Sequence, residues 1–359
     1  MKRILIANLV EGHILAEDVL MNNTQLLVPK GVVLTQNLID LLHNNQILSV
    51  KVEDQIMTAK KIQPLSYLDK IRNSKEFFQF KRSYETCVSH IAQRMNDLVE
   101  KNIPFHVDQF ISETMNLLKC SGQATNILDF LISMRDYDDS TFCHSINVAL
   151  LCGIFADWLH LSELQKEIAM LCGLFHDIGK LQIPREIIQK PGSLTPKEFD
   201  VIKMHPEFGY HILCRKDIDE KLNEHVKNAA LMHHEKCDGS GYPLGLTLNK
   251  IDYYAKMVAI VDVYDAMTSA RVYRKPLCPF TVIRHFEDDG LQKYDPEMLL
   301  VFLDHVVNTY INHTVQLSNG ERGNIIFINK INLSKPTIQC DDRFVDLSKE
   351  KNIFIETIL

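Results

Sequence analysis

Positive charge is scarce in this chain. Against 46 Asp and Glu it carries 39 Lys and Arg, a formal net charge of −7 at pH 7 over 359 residues. That balance argues against a general nucleic-acid or membrane-surface binder. It leaves room for an anionic small ligand where positive charge is local. Paired cysteines are missing as well. The nine cysteines are an odd number and none stands in a CxxC pair. Most lie in apolar helical runs, as Cys152 and Cys172 do, so they read as reduced core thiols of a cytosolic protein. No apolar run reaches the roughly 20 residues that a bilayer-spanning helix needs. Met1-Lys2-Arg3 leads into a strand-like stretch, not a signal peptide, and no internal repeat or low-complexity tract is visible. The expectation is a soluble, cytoplasmic protein with no membrane, DNA or RNA partner.

What is present is length and core. The chain is too long for one ordinary domain, and 46% of its residues are hydrophobic. Residues 1–54 read as a small α+β unit. There Leu26-Leu27-Val28 leads into the turn Pro29-Lys30-Gly31, Thr35 can cap a short helix through Leu42, and Val50 and Val52 alternate with polar residues as a final strand. Residues 55–120 read as connecting helices, with Phe77, Phe78, Phe80, Tyr84, Val88, Ile91 and Met95 at roughly helical intervals. They are expected to pack on the next domain, with a partner or dimer contact as the functional alternative. Residues 121–310 are almost all helix. Residues 311–359 return to strands, with Asn319-Gly320 between apolar runs as a hairpin signal. The fold class expected is mainly α, a helical domain with a small α+β unit before it and a small β subdomain after it.

Within 121–310 the stretch Leu174-Phe175-His176-Asp177-Ile178-Gly179-Lys180 stands out. It ends an apolar helical run that opens on a Ser162/Gln165 capping box, and Gly179 reads as the helix stop. Neighbouring Cα atoms are about 3.8 Å apart, so both side chains can reach one shared centre. Alone, a His-Asp pair is ordinarily a capped helix end. Four other segments change that reading. His144 shares an apolar helix face with Val148, Leu151 and Phe155. Thr195-Pro196-Lys197-Glu198 opens a helix that runs to His205, where Pro206 interrupts it. Ala229 to Glu235 ends in His233-His234 and breaks into Asp238-Gly239-Ser240-Gly241-Tyr242-Pro243. Asp262 and Asp265 sit in the apolar middle of a helix from Tyr254 to Ser269, where a buried carboxylate must be paired or metal-bound.

The inward candidates are therefore His144, His176, Asp177, His205, His233, His234 and Asp262. Five imidazoles and two carboxylates suit Fe, Mn or Zn, and seven ligands exceed what one tetrahedral zinc needs. They suit two metals sharing Asp177 as a bridge. Such a centre can hold a hydroxide between the ions and polarise a phosphoryl oxygen for in-line phosphodiester hydrolysis.

His176-Asp177 with Gly179-Lys180, followed by His233-His234-Glu235 and Asp238-Gly239-Ser240-Gly241-Tyr242-Pro243, resembles the HD-GYP domain, a bacterial branch of the HD phosphohydrolases. Asp262-Val263-Tyr264-Asp265-Ala266-Met267-Thr268-Ser269 also matches. The resemblance covers about 121–310. It implies a helical HD-type fold and hydrolysis of cyclic di-GMP to linear pGpG, to GMP, or to both. It implies metal ligands at His144, His176, Asp177, His205, His233, His234 and Asp262, and Lys180 near the scissile phosphate. Arg271 and Arg274 fall where the family binds ligand phosphates, a task to which guanidinium forks are suited, and Tyr242 is placed to line the nucleotide pocket. Members that hold three ions use a Glu four residues before the first His ligand. That position is Ser140 here, with Asp138 and Asp139 out of phase, so two divalent ions are expected. Fe or Mn is favoured, with Zn, Ni or Co as alternatives. Another nucleotide as substrate, or a non-catalytic adaptor that binds cyclic di-GMP, are the competing readings. A homodimer or a signalling protein is the macromolecular partner to expect.

Overall fold

The computed structural model describes residues 2–10, 12–21, 25–28, 30–34, 38–39, 42–43, 45, 47–56, 67–101, 103, 106–120, 124–134, 141–215, 218, 222–269, 276–341 and 343–359. It divides into two compact units, Met1–Pro64 and Leu65–Leu359. Thr35, read as a helix cap, lies outside the described residues.

The first unit is built on strand β5 (Ser49–Ile56), which pairs antiparallel with β1 (Lys2–Leu5) on one side and β2 (His13–Leu15) on the other. Val50 and Val52 put their side chains on one face because a strand repeats every two residues. They close a core with Leu15, Leu34 and Leu42. Strands β3 (Val19–Met21) and β4 (Gln25–Val28) form a separate hairpin.

The second unit is mainly helical. Its Lys75–Lys101 helix buries Phe77, Phe80, Tyr84, Cys87, Ile91, Met95 and Leu98. This is a three-four spacing that lays one stripe along the helix. Phe78, expected in that pattern from sequence, is corrected: one residue past Phe77 it falls off the stripe and is exposed. That stripe joins the same apolar core as the helices downstream. At the centre lies the Thr141–Trp158 helix, which packs on Glu163–Phe175, Tyr253–Thr268, Lys75–Lys101, Val107–Cys120, Ala124–Met134 and Pro296–Thr309. Partners on nearly every side explain why 13 of its 18 residues are buried. They also explain why it is, contrary to the expectation from sequence, long and apolar enough for a membrane span by length and composition.

Two capping boxes form as read. Ser162 Oγ accepts from Gln165 N at the start of Glu163–Phe175, and Thr195 Oγ1 accepts from Glu198 N at the start of Pro196–Ile202. The reading of one helix running to a break at Pro206 is corrected. The chain turns at Lys203 and Met204, and His205–Leu213 is a new helix with Pro206 in its first turn. There a missing N–H costs no helical hydrogen bond.

After the Pro296–Thr309 helix the chain forms a five-stranded antiparallel sheet, ordered β10-β6-β7-β8-β9, from β6 (Thr314–Leu317), β7 (Arg322–Phe327), β8 (Thr337–Cys340), β9 (Arg343–Asp346) and β10 (Ile355–Ile358). Asn319-Gly320 makes the β6–β7 turn, with Gly320 at φ +86°. Val315, Leu317, Ile325, Ile338, Val345 and Ile355 turn inward from this sheet into the helical core.

Candidate metal centre

The site forms where helix ends converge. His176 is the C-cap of Glu163–Phe175, and Asp177 opens the tight turn Ile178–Gln182. His205 begins its helix, and His233 is the C-cap of Glu224–Met232. His144 and Asp262 come from inside the two most deeply buried helices. Gly179 is not the helix stop read from sequence, because the helix has already ended at Phe175. It lies in the turn where the backbones of two elements meet. A Cβ there would come within 1.9 Å of His205 O and 2.5 Å of Gly209 N, so only glycine lets the His176-Asp177 turn seat against the His205 helix.

Each of four rings has its Nδ1 committed. His176 Nδ1 donates to Gly173 O at 2.7 Å, His205 Nδ1 to Ile202 O at 2.7 Å, and His233 Nδ1 to Ala230 O at 3.0 Å. A carbonyl can only accept, so Nδ1 carries the proton and Nε2 presents a lone pair. His144 Nδ1 is bonded to Asp265 Oδ2 at 2.7 Å, a carboxylate–imidazole pair of the kind that orients a metal ligand.

These Nε2 atoms gather around one carboxylate. Asp177 Oδ2 is 3.3 Å from His176 Nε2 and 3.7 Å from His144 Nε2, and Asp177 Oδ1 is 3.2 Å from His205 Nε2 and 3.7 Å from His233 Nε2. Asp262 Oδ1 is 2.9 Å from His144 Nε2 and 3.9 Å from His176 Nε2. His144, His176 and Asp177 form one group with metal-ligand spacing, and Asp177, His205, His233 and His234 form another.

The donor set fits cations. His205 Nε2 and His233 Nε2 are 3.1 Å apart. With both Nδ1 protons spent on carbonyls, two lone pairs face each other and require a proton or a cation between them. Among the described residues, His176 Nε2 and Asp177 Oδ1 are buried without a hydrogen-bond partner, a costly state unless an ion satisfies them. A buried His/Asp cluster suited to two ions is thus present, with Asp177 common to both halves.

Electrostatics follow from burial and close contact. Burial lowers His205, His233 and, most strongly, His234, which keeps these rings neutral. For His144 burial acts downward too, but bonds to Asp262 and Asp265 outweigh it and raise the ring to about 9. Burial would raise both carboxyls; Lys180 and His176 hold Asp177 well below the usual carboxylate range, and His144 does so for Asp262. Lys180 Nζ donates to Asp177 Oδ2 at 2.6 Å and keeps part of its side chain in solvent.

The loop after His234 is tied down by Glu235. Its buried carboxylate accepts from Leu244 N at 2.7 Å and Leu246 N at 2.8 Å. Gly241 passes so close that a Cβ would lie 2.4 Å from Lys236 N. Tyr242, which precedes a cis peptide bond to Pro243, packs against His234 with centroids 4.7 Å apart and the rings tilted by 32°.

Seven candidate ligands read from sequence, together with Lys180 and Tyr242, thus lie in one place. Arg271, Arg274, Ser140, Asp138 and Asp139 lie outside the described residues. Two residues were not singled out as site residues. Asp265 stands one turn after Asp262 and so shares its helix face, a signal that was available. Glu235 binds amides nine and eleven residues ahead, a contact that no spacing rule announces.

The fold and site define the class. Residues 120–298 match the family model described as HD domain, and the chain belongs to the HD-domain family. It is 35% identical over 204 residues to a cyclic di-GMP phosphodiesterase of Pseudomonas aeruginosa, covering 56% of this chain and 48% of that protein. It is 36% identical over 196 residues to a cyclic di-GMP phosphodiesterase of Thermotoga maritima, covering 55% and 51%. It is 33% identical over 222 residues to a 3'3'-cGAMP-specific phosphodiesterase of Vibrio cholerae, covering 62% and 42%. The chain spans about half the length of the curated relatives it matches.

Proposed function

We propose that this protein is a cytosolic, metal-dependent phosphodiesterase that hydrolyses cyclic di-GMP to pGpG, GMP or both. The observation that carries the proposal is Asp177, whose two oxygens face two separate sets of imidazoles with outward lone pairs. The named activities of the relatives support the substrate. In this reading His144, His176, Asp177 and Asp262 hold one ion, and Asp177, His205, His233 and His234 hold the other. Fe or Mn is favoured, with Zn, Ni or Co as alternatives for an N/O donor set. Two such ions, when bound, supply a bridging hydroxide as nucleophile and Lewis-acid polarisation of the phosphoryl oxygen.

The chain's own residues do the rest. Lys180, next to Asp177 and partly exposed, contacts the scissile phosphate and offsets charge that develops there. Arg271 and Arg274 bind substrate phosphate oxygens, and Tyr242 lines the nucleotide pocket. The test is product analysis on anaerobically purified, metal-counted protein incubated with cyclic di-GMP and, separately, 3'3'-cGAMP. The Vibrio cholerae relative motivates the second arm. Turnover of 3'3'-cGAMP alone replaces the substrate assignment. Tight binding of cyclic di-GMP without turnover in the metal-loaded protein replaces the enzyme with an adaptor.

Two substitutions probe the parts. Arg271→Ala and Arg274→Ala are each expected to raise KM about tenfold or more with metal content unchanged, the size of a lost charge-assisted bond. Unaltered KM in both variants moves the phosphate site elsewhere. Asp265→Ala is expected to weaken metal binding about 10- to 100-fold, because His144 loses the carboxylate that aims it. Metal titration of the apoprotein reads this directly, and wild-type affinity would remove Asp265 from the centre.

A further inference from the structure

A cavity of about 490 Å³ lies between the Pro279–His285 helix, the segment after it, and the loops at residues 330–335 and 350–354. Its size falls within the roughly 300–1,000 Å³ of small-molecule sites. None of the candidate metal ligands lines it. Phe286–Gly290, on its helical wall, is a π-helix, a rare geometry that recurs at functional sites. Glu287 of that segment accepts from Leu333 N at 2.5 Å and Ser334 N at 3.3 Å. These bonds pin the opposite wall, so the cavity is preformed.

Its lining is amphipathic. Leu291, Leu300, Ile331 and Phe354 are large apolar side chains left exposed around this one cavity. Single exposed apolar residues need no explanation, but a group of them marks a surface that something covers. The charges are not balanced. Lys330 is paired with Asp304, and Glu287 is spent on amides. That leaves Arg284, Lys335 and Lys351 against Asp288 and Glu350, none of them in an ion pair among the described residues. Asp288 and Glu350 are exposed and screened by solvent, whereas Arg284 and Lys335 are half-buried. The guanidinium carbon of Arg284 is 5.6 Å from the Phe354 ring centroid, and its Nε is buried without a hydrogen-bond partner among the described residues. Contact with a ring face leaves guanidinium N–H donors unspent, and a buried donor calls for an acceptor. The inside of the cavity is therefore positive, in a chain of net charge −7.

We propose that this cavity binds a small organic anion with a single acidic head group on an apolar body. Arg284 and Lys335 take the head group, and the four exposed apolar side chains cover the body. The occupant touches both the helical core and the loops of the C-terminal sheet, and so bridges them. The proposal goes beyond the phosphodiesterase reading and does not rest on it.

The probe is anilinonaphthalene sulfonate, an aryl sulfonate whose fluorescence rises in apolar surroundings, titrated into the metal-loaded protein. Saturable binding is expected. Hexanesulfonate displaces the probe, whereas sulfate and hexanol, which each carry half of the chemistry, do not. Arg284→Met removes the charge and keeps an apolar stem. It is expected to weaken probe binding about 10-fold or more, the size of a lost charge-assisted bond, with the midpoint of thermal unfolding unchanged. Leu300→Glu, at an exposed position, sets a negative charge on the apolar wall and is expected to cause a comparable loss. Leu164→Glu, at an exposed leucine outside the cavity, leaves binding unchanged. Probe affinity within twofold of wild type in either Arg284→Met or Leu300→Glu overturns the proposal. So does an equal loss in Leu164→Glu, displacement by sulfate alone or hexanol alone, or the absence of saturable binding to wild type.

Discussion

Asp177→Ala protein is expected to fold, to lose metal and to lose hydrolysis by about a thousandfold or more. Folding survives because the apolar faces of the Thr141–Trp158 and Glu163–Phe175 helices, not the cluster, make the core. Metal is lost because Asp177 is the one carboxylate common to both ligand groups. Its removal leaves four imidazoles at 3.2–3.7 Å from a vanished anion. Metal ions supply several kcal/mol of transition-state charge stabilisation, and each 1.36 kcal/mol is a factor of ten in rate. Asp177→Asn separates charge from shape, since one oxygen and the side-chain volume remain. It is expected to keep part of the metal and little of the rate. Wild-type turnover in a folded, metal-counted Asp177→Ala protein would sink the two-metal centre.

The second large effect is expected from a methyl group. Gly179→Ala places a Cβ 1.9 Å from His205 O and 2.5 Å from Gly209 N, both backbone atoms. No rotamer change relieves that contact, so the turn and the His205–Leu213 helix must separate. Overpacking of this kind costs about 3 kcal/mol or more, which lowers the midpoint of thermal unfolding by roughly 5–10 °C. The displacement falls on His205, so the half of the cluster built on His205, His233 and His234 is expected to lose its ion first. Thermal unfolding together with a metal count on the same sample checks both claims. An unchanged midpoint and a full metal complement would show that the turn can shift without cost.

These predictions also show how far local pattern carries. Gly179 was visible as a residue of special use, but the use read from sequence was a helix stop. The helix ends four residues earlier, and the glycine answers to another backbone, one that arrives 26 residues later with His205. Pro206 was read as a break for the same reason. A proline in a helical pattern ends one helix or begins the next, and local periodicity does not separate the two. The capping boxes at Ser162 and Thr195 were legible because both partners lie within four residues. The Tyr84–Asn147–Asp265 bonds, at 2.7 and 3.2 Å, were not legible. They tie the Lys75–Lys101 helix to the carboxylate behind His144 across separations of 63 and 118 residues.

The sequence by itself determined the candidate ligand types, the helical faces that carry them, the capping boxes and the order of helical and β segments. These are properties of one or two turns of chain, where side-chain direction follows from periodicity alone. Only the tertiary structure decided that Asp177 turns one oxygen to each set of imidazoles. It also decided that carbonyls at helix ends commit Nδ1 and leave Nε2 for a cation, and that Glu235 serves the loop. The physical reason is that hydrogen bonds and ion contacts act over about 3 Å in space, while His144 and Asp262, whose atoms lie 2.9 Å apart, are 118 residues apart along the chain.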